Sequence, residues 1–343
     1  MGLSKAIATG IAISLYLPSL CLGDLYLDWE GIVSFGDSLS DAGNMANFLP
    51  FLKTAIFPSP PYDELRASNG PTWPEYLKNY LPYSENFMTY AYSGATTSDE
   101  HAASELIPHL GQQVQTYIDS GNMQPYWGHI MLIGGNDILD ILLKMSLGEA
   151  VDMNASAMSV SESILNGMRT LAEAGVKQII YWPVSGGDVM PRIVLLGASE
   201  GFTALATGIN GLIQAGIPQI ISEFDVEISY LAEVTLEKAL GRFLEKNPQA
   251  IIDDRCAVYT PPDFQTLESV CDNPENYFFF DSLHPTTAGH EVLAEALLEE
   301  LGSELPTCQS SEDCPDGLTC GCTSSRRLRK VLFGGMSNDC YCG

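Results

Sequence analysis

The sequence predicts an α/β fold, a mainly parallel sheet wound by helices into three layers. Two observations carry that reading. Short apolar runs rich in β-branched and aromatic residues recur along the chain and end in small, polar turn-formers. Most are followed by a stretch with helical periodicity, and strands alternating with helices build parallel sheets. At 343 residues and 45% hydrophobic, the chain is long enough for one large domain with an appendage.

The first strand is 31–35, Gly-Ile-Val-Ser-Phe, stopped by Gly36-Asp37-Ser38. Ser40, Asp41 and Asn44 are cap-type residues suited to opening a helix. This order places the Ser38 hydroxyl at the carboxyl edge of a sheet, where ligands collect in open α/β folds. Standing alone, Ser38 reads as a turn serine that caps the next helix. Residues 57–82 are rich in proline and aromatics and form a loop with short helical turns. Trp73, Tyr76 and Leu77 anchor that loop on the core, or else it walls a substrate cleft.

Residues 88–92 alternate as a strand and break at Ser93-Gly94-Ala95. Residues 129–133 are a buried strand ending at Gly134-Gly135-Asn136-Asp137, with helical periodicity over 138–147 and 160–174. The next strand, 178–182, is ended by Pro183. The span 202–249 is mostly helical, interrupted at Pro218, with 220–226 readable as strand or helix.

The formal net charge is -27. Such an acidic surface repels phosphate backbones and anionic headgroups, which disfavours nucleic-acid binding and electrostatic docking on membranes. Lys5, an apolar stretch over 6–22 broken by Pro18, and the small Gly23 read as a secretory signal peptide, 1–23. An uncleaved anchor needs a longer run without proline, and no later stretch reaches spanning length. Without Cys21, eight of nine cysteines remain, an even number suited to an oxidising, extracellular compartment. Asn154-Ala155-Ser156 is a glycosylation sequon that fits secretion.

Composition changes after Pro306, so the main domain is placed at 24–306. The segment 307–343 holds Cys308, Cys314, Cys320, Cys322, Cys340 and Cys342, with a basic cluster over 326–330. So short a segment cannot bury an adequate core, and it reads as a disulfide-stapled module of open pairing. Zinc ligation is the alternative, but the Cys-x-Cys spacing fits no common finger.

Of five histidines, His284 stands out, because Asp281 precedes it by three residues on a turn held by Pro285. A carboxylate so placed can reach Nδ1, leaving Nε2 as a proton acceptor. Gly94 and Asn136 both sit in loops that end strands, where a backbone N–H and a side-chain amide can meet developing negative charge. Each also has a bland reading, Gly94 as a turn glycine and Asn136 as a helix cap.

Taken together, these segments resemble a known family. Phe35-Gly36-Asp37-Ser38-Leu39-Ser40-Asp41 resembles the first block of the GDSL lipases and esterases, also called SGNH hydrolases. Ala91-Tyr92-Ser93-Gly94-Ala95-Thr96 is similar to the block carrying that family's glycine. Ile133-Gly134-Gly135-Asn136-Asp137 resembles its Gly-x-Asn-Asp block, and Asp281-Ser282-Leu283-His284-Pro285 its Asp-x-x-His block. All four stand in the family's order, and their wording most resembles the branch of secreted phospholipases, haemolysins and plant and fungal esterases.

The resemblance implies a flavodoxin-like fold and a role for each matching position. Ser38 is then the nucleophile, His284 the general base and acid, and Asp281 the orienting carboxylate. The Ser38 N–H, the Gly94 N–H and the Asn136 side chain form the oxyanion hole. Cys256 and Cys271 look like a pair found in that branch. Two departures stand out: Ser93 replaces a glycine common among relatives, and the Cys-rich tail has no counterpart in the family's basic domain. The expected function is a secreted serine hydrolase of carboxylic esters without metal or organic cofactor. Lipids, phospholipid acyl esters, short-chain esters and acetylated sugars are all open as its substrate. No nucleic-acid partner and no stable membrane insertion are expected, and a surface or polymer contact is one reading of the tail. The other functional class is a secreted binding or effector protein with a vestigial hydrolase domain.

Overall fold

The computed structural model describes residues 29–48, 59–63, 65–81, 83–101, 106–231, 234–261, 266–301, 320–322 and 340–342. The segment 1–23, Cys308, Cys314 and the basic cluster at 326–330 lie outside the described residues. The first half of the chain holds β1 (Ile32–Gly36), α1 (Asn44–Phe48), α2 (Trp73–Leu77), β2 (Phe87–Thr89), α3 (Leu110–Asp119), β3 (Gly128–Leu132), α4 (Gly135–Ser146) and α5 (Met153–Glu173). Then come β4 (Gln178–Tyr181), α6 (Pro191–Leu195), α7 (Ser199–Glu223), β5 (Glu227–Tyr230) and α8 (Val234–Lys246). Four short strands follow, β6 (Ile251–Arg255), β7 (Ala257–Tyr259), β8 (Leu267–Val270) and β9 (Tyr277–Phe279). Helix α9 (Thr287–Glu300) and the strands β10 (Cys320–Cys322) and β11 (Cys340–Cys342) complete the order.

The central sheet has five strands in the order β2-β1-β3-β4-β5, and every pairing is parallel. Ile32 sits between Phe87 and Gly128, so β1 is paired on both sides. The period of two sends alternate residues to opposite cores. Val33, Phe35, Met131, Ile179 and Tyr181 join one cluster with Val114, Ile164 and Ile209 of α3, α5 and α7. Ile32, Ile130, Leu132 and Ile180 join the other with Trp73, Phe243 and Leu297 of α2, α8 and α9. Both faces of the sheet are therefore covered, which gives the three layers the sequence predicts. The chain leaves β1 for β2 on one side and returns to β3 on the other, so the switch point lies between the carboxyl ends of β1 and β3.

Two expectations fail over 202–249. Pro218 lies inside α7 and does not interrupt it. It is exposed, as is Gln214, whose carbonyl it leaves without an N–H, and water can serve that group. Ile213, Ile217 and Ile220, all buried, hold the helix through that point. The ambiguous segment 220–226 is helix as far as Glu223, and the edge strand β5 follows where helix was expected.

After α8, β6 pairs with β9 in parallel and β7 pairs with β8 as an antiparallel hairpin. Cys256 and Cys271 form a disulfide across this region, the pairing that the resemblance implies. Cys256 N donates to Phe279 O and Ala257 N to Phe280 O, so the staple sits directly beside the strand that leads into Asp281. The bond closes a loop with a sequence separation of 15, for which chain entropy predicts about 3 kcal/mol of stabilisation. Replacing both cysteines by alanine is expected to lower the unfolding free energy by that order, measured by urea denaturation. In the tail, β10 and β11 pair antiparallel with Cys320 opposite Cys342 and Cys322 opposite Cys340. Backbone alone places those four cysteines in two facing positions.

Candidate active site

Turn geometry at the end of β1 delivers Ser38. Gly36 has φ +154°, and a Cβ there would lie 2.3 Å from the Leu132 carbonyl, so only glycine lets β1 and β3 end this close together. Gln113 of α3 closes the strand end, accepting from Gly36 N at 3.0 Å and donating to Gly36 O at 2.9 Å. Beyond it Ser40 N and Asp41 N both donate to Asp37 O, and Leu39 N donates to Asp37 Oδ1. The tight turn leaves Ser38 half-buried at the switch point.

The sequence reads Asp41 as a cap, and the structure gives it more. Its Oδ1 accepts from Gly43 N and Asn44 N, and its Oδ2 accepts from Met45 N, Ser93 N and the Ser93 hydroxyl. Asp137 grips the other end of the same loop, accepting from Thr97 N and, at 2.7 Å, from the Thr97 hydroxyl. Between the two carboxylates lies Gly94 with φ +83°, and Asn136 Nδ2 donates one hydrogen to Ala95 O at 2.8 Å. Among the described residues the second hydrogen of that amide has no acceptor. Gly94 and Asn136 are thus tied to the Ser38 turn through Asp41, Asp137 and Ala95.

Burial pushes the Asp137 carboxyl up to about 6, against the opposing pull of the Thr97 hydroxyl. Burial likewise pushes Asp37 up to about 6, against the Leu39 N–H. A carboxyl raised in the fold stabilises it fully below the unfolded value, and that contribution is lost as pH rises through about 6. Asp137→Asn, which does not titrate, should therefore gain on the wild type as pH rises from 5 to 7.5. Over that window the gain is about 1.4 kcal/mol, read from urea denaturation at the two pH values.

On the opposite side of the switch point, His284 Nε2 lies 2.8 Å from Ser38 Oγ, and its Nδ1 lies 2.7 Å from Asp281 Oδ2. These partners select the tautomer with Nδ1–H donating to the carboxylate and Nε2 accepting from the hydroxyl. Leu283 N and His284 N donate to Asp281 Oδ1, so the carboxylate's other oxygen is also fixed. Burial alone would raise the Asp281 carboxyl, but the His284 ring and the hydrogen bonds around it hold it well below the usual carboxylate range. Arg192 braces the turn, its N–H donating to Ser282 O and its Nε to Ser282 Oγ.

The other histidines are elsewhere. His129 is buried between Tyr117 and the Trp127 carbonyl, and burial lowers it to about 4. His290 is lowered to about 3 by burial and by the nearby His284. His101 pairs with Asp140, and His109 precedes α3. His284 is the one at Ser38, as expected.

One contact has no signal in the sequence. Tyr62 donates its hydroxyl to Asp281 Oδ2 at 2.6 Å, and its ring packs edge-on against Phe280. Burial and the adjacent Asp281 push the phenol well above its ordinary range, so it remains a donor. The proline-rich segment clasps the same turn at further points. Ser68 Oγ donates to Pro285 O, Asn69 Oδ1 accepts from Thr287 N, and the Tyr76 hydroxyl meets the Thr287 hydroxyl. Trp73 and Leu77 anchor it in the core, as read from the sequence. None of its described residues lines the cavity beside Ser38, and those named here clasp the His284 turn.

Asn154 is exposed in the first turn of α5. Among the described residues no cluster of histidine, cysteine or carboxylate side chains is suited to a metal ion, and no helix is long and apolar enough to cross a membrane.

Comparisons with known proteins bear on this geometry. The model of the GDSL-like lipase/acylhydrolase family matches residues 32–297. The chain is 30% identical over 308 residues to a phosphatidylcholine-sterol acyltransferase of Aeromonas hydrophila, covering 77% of this chain and 88% of that one. It is 24% identical over 334 residues to acetylajmalan esterase 2 of Rauvolfia serpentina, covering 81% and 91%. A thermolabile hemolysin of Vibrio parahaemolyticus is 25% identical over 285 residues, 78% of this chain and 63% of the hemolysin. Among solved structures, phospholipase A1 from Streptomyces albidoflavus aligns with a TM-score of 0.38 and 16% identity, covering 79% of this chain and 99% of that one. With a family match over most of its length and the family's four motifs gathered at one sheet edge, the chain belongs to the GDSL-like lipase/acylhydrolase family and is a carboxylic ester hydrolase.

Proposed function

We propose that the protein is a secreted serine esterase that cleaves carboxylic esters through an acyl-enzyme on Ser38. The observation that carries this is the continuous line of hydrogen bonds from Ser38 Oγ through the His284 ring to Asp281. In the first step His284 Nε2 takes the Ser38 proton as Oγ bonds to the acyl carbon, and the imidazolium is steadied by Asp281. The carbonyl oxygen becomes an oxyanion facing the Ser38 and Gly94 N–H groups and the free hydrogen of Asn136 Nδ2. His284 then gives its proton to the departing alkoxide, which leaves as the alcohol. Water enters, loses a proton to His284 and attacks the acyl carbon, and the Ser38 oxygen departs with that proton, releasing the acid. A substrate among lipid or small acyl esters is supported by the likeness to relatives named acetylajmalan esterase and phosphatidylcholine-sterol acyltransferase.

The test is labelling with a fluorophosphonate together with turnover of p-nitrophenyl butyrate. A single phosphonyl adduct on the peptide carrying Ser38, matched by loss of turnover, is expected. An adduct elsewhere that abolishes turnover, or turnover that survives full labelling of Ser38, overturns the mechanism. The content of residues 1–23 supports secretion, and expression with that segment should release protein whose N-terminus begins near Asp24.

A further inference from the structure

The loop that carries Gly94 is fastened along α4, turn by turn. In the first turn of the helix Asn136 Nδ2 donates to Ala95 O, and beside it the Asp137 carboxylate accepts from the Thr97 N–H and hydroxyl. One turn further on, Asp140 Oδ2 lies 2.8 Å from His101 Nδ1. Lys144 Nζ reaches the same oxygen at 2.7 Å from the next turn. His101 closes a short helical turn, Asp99–His101, and its ring is buried. A carboxylate opposite Nδ1 selects the tautomer that donates from that nitrogen. Neither His101 nor Asp140 lines the cavity beside Ser38, and the proposed mechanism uses neither.

We propose that His101 and Asp140 are positioning residues of the oxyanion hole. Their bond pins the far end of the Gly94 loop to the helix that carries Asn136, and so sets the spacing of the two donors. The inference rests on the oxyanion roles that the Ser38 reading gives Gly94 and Asn136, and adds the pair that holds them in register.

Gly94 has φ +83° and no side chain, so nothing on the residue itself locks the direction of its N–H. Its neighbours must do so. Upstream, Ser93 is held by Asp41 through its N–H and its hydroxyl. Downstream, Ala95, Thr97 and His101 are each held by a side chain of α4. Without the His101 bond, Thr97 becomes the last of these ties and the loop beyond it can swing. A donor stabilises an oxyanion only when aimed at the place where charge develops, so small displacements are felt in the transition state. The neutral carbonyl of the bound ester leans on the hole far less, so the loss falls on kcat and not on KM.

The experiment compares His101→Leu, which fills the buried volume without a donor, with His101→Asn, which keeps a donor near the Nδ1 position. The readouts are kcat and KM for p-nitrophenyl butyrate and the Ki of a trifluoromethyl ketone, whose adduct with Ser38 places an oxyanion in the hole. In His101→Leu, kcat should fall about tenfold with KM within about twofold, less than the 10²–10³ lost when a donor is deleted outright. Ki should rise by the same factor as kcat falls, and His101→Asn should recover kcat to within about threefold of the wild type. Asp140→Ala removes the other half of the bond, and the double variant with His101→Leu should lose no more than either single one. Asp140 is partly exposed, so its variant carries the same readouts if His101→Leu folds poorly. Wild-type kcat in a folded variant, a kcat loss that leaves Ki unmoved, or losses that multiply in the double variant would each overturn the assignment and leave the Ser38 mechanism intact. A wild-type protein with no phosphonyl adduct on Ser38 instead removes the esterase reading, and the positioning role with it.

Discussion

Ser38→Ala is expected to lower kcat/KM for every ester substrate by about 10⁴-fold or more, about 5.4 kcal/mol of transition-state stabilisation. The size follows from what the hydroxyl does in the proposed mechanism: it forms the covalent bond, and no neighbouring group can replace it. His284 Nε2 faces Ser38 Oγ at 2.8 Å, so in the variant it faces a methyl group or a water. The proposed oxyanion donors survive, because Gly94 and Asn136 are held by Asp41, Asp137 and Ala95 and not by the serine. Residual turnover by direct attack of water is therefore expected, and it should show no burst of p-nitrophenol. Stability should change little, since Ser38 is half-buried and one hydrogen bond is lost. Undiminished activity in a folded Ser38→Ala protein would remove Ser38 from the chemistry altogether.

How much of this was legible in the sequence differs between the sheet and the site. Strands β1, β3 and β4 are buried on both faces and therefore read as largely apolar runs ended by glycine or proline. Edge strand β5, Glu-Ile-Ser-Tyr, is too short for its alternation to stand out and lies between long helical stretches, so it was masked by their periodicity. Ser38, Asp281 and His284 were visible because each sits in a short turn whose glycine, aspartate or proline neighbours stand out in the sequence. Tyr62 was not visible. Its partner Asp281 lies 219 residues away, and the contact depends on how a proline-rich loop with no periodicity lies over the His284 turn. Asp41 and Asp137 were visible as residues but not as roles, because a buried carboxylate that accepts loop N–H groups looks locally like any helix-start aspartate. Local pattern reports what a residue does to its own segment, and the clasp and the bonds that hold the Gly94 loop are contacts between segments.

Asp281→Asn should cost about 10⁴ in kcat, the scale seen when the triad carboxylate of a serine protease becomes an amide. The bonds around Asp281 explain why the amide cannot find a harmless orientation. If its oxygen takes the Oδ2 position, it still accepts from His284 Nδ1–H and Tyr62, but the NH₂ then faces the N–H groups of Leu283 and His284. Donor against donor in a buried turn loses two hydrogen bonds, each costing about 1–3 kcal/mol. The amide therefore settles with its oxygen on the two backbone N–H groups and its NH₂ toward His284 Nδ1. Nδ1 must then accept, the ring proton moves to Nε2, and Nε2–H points at Ser38 Oγ, where it cannot take a proton. Tyr62→Phe separates this tautomer effect from simple loosening. It removes the donor at 2.6 Å from Asp281 but leaves the carboxylate able to accept from Nδ1–H, so kcat should fall only about tenfold. A second readout follows from the depressed Asp281 carboxyl. Such a group contributes stability that is present above its unfolded value and lost as pH falls through its folded one. Asp281→Asn should accordingly lose stability relative to the wild type at neutral pH, and that deficit should shrink on acidification below about 4. A variant that kept its activity while showing the stability deficit would make Asp281 a folding residue and leave His284 to orient itself.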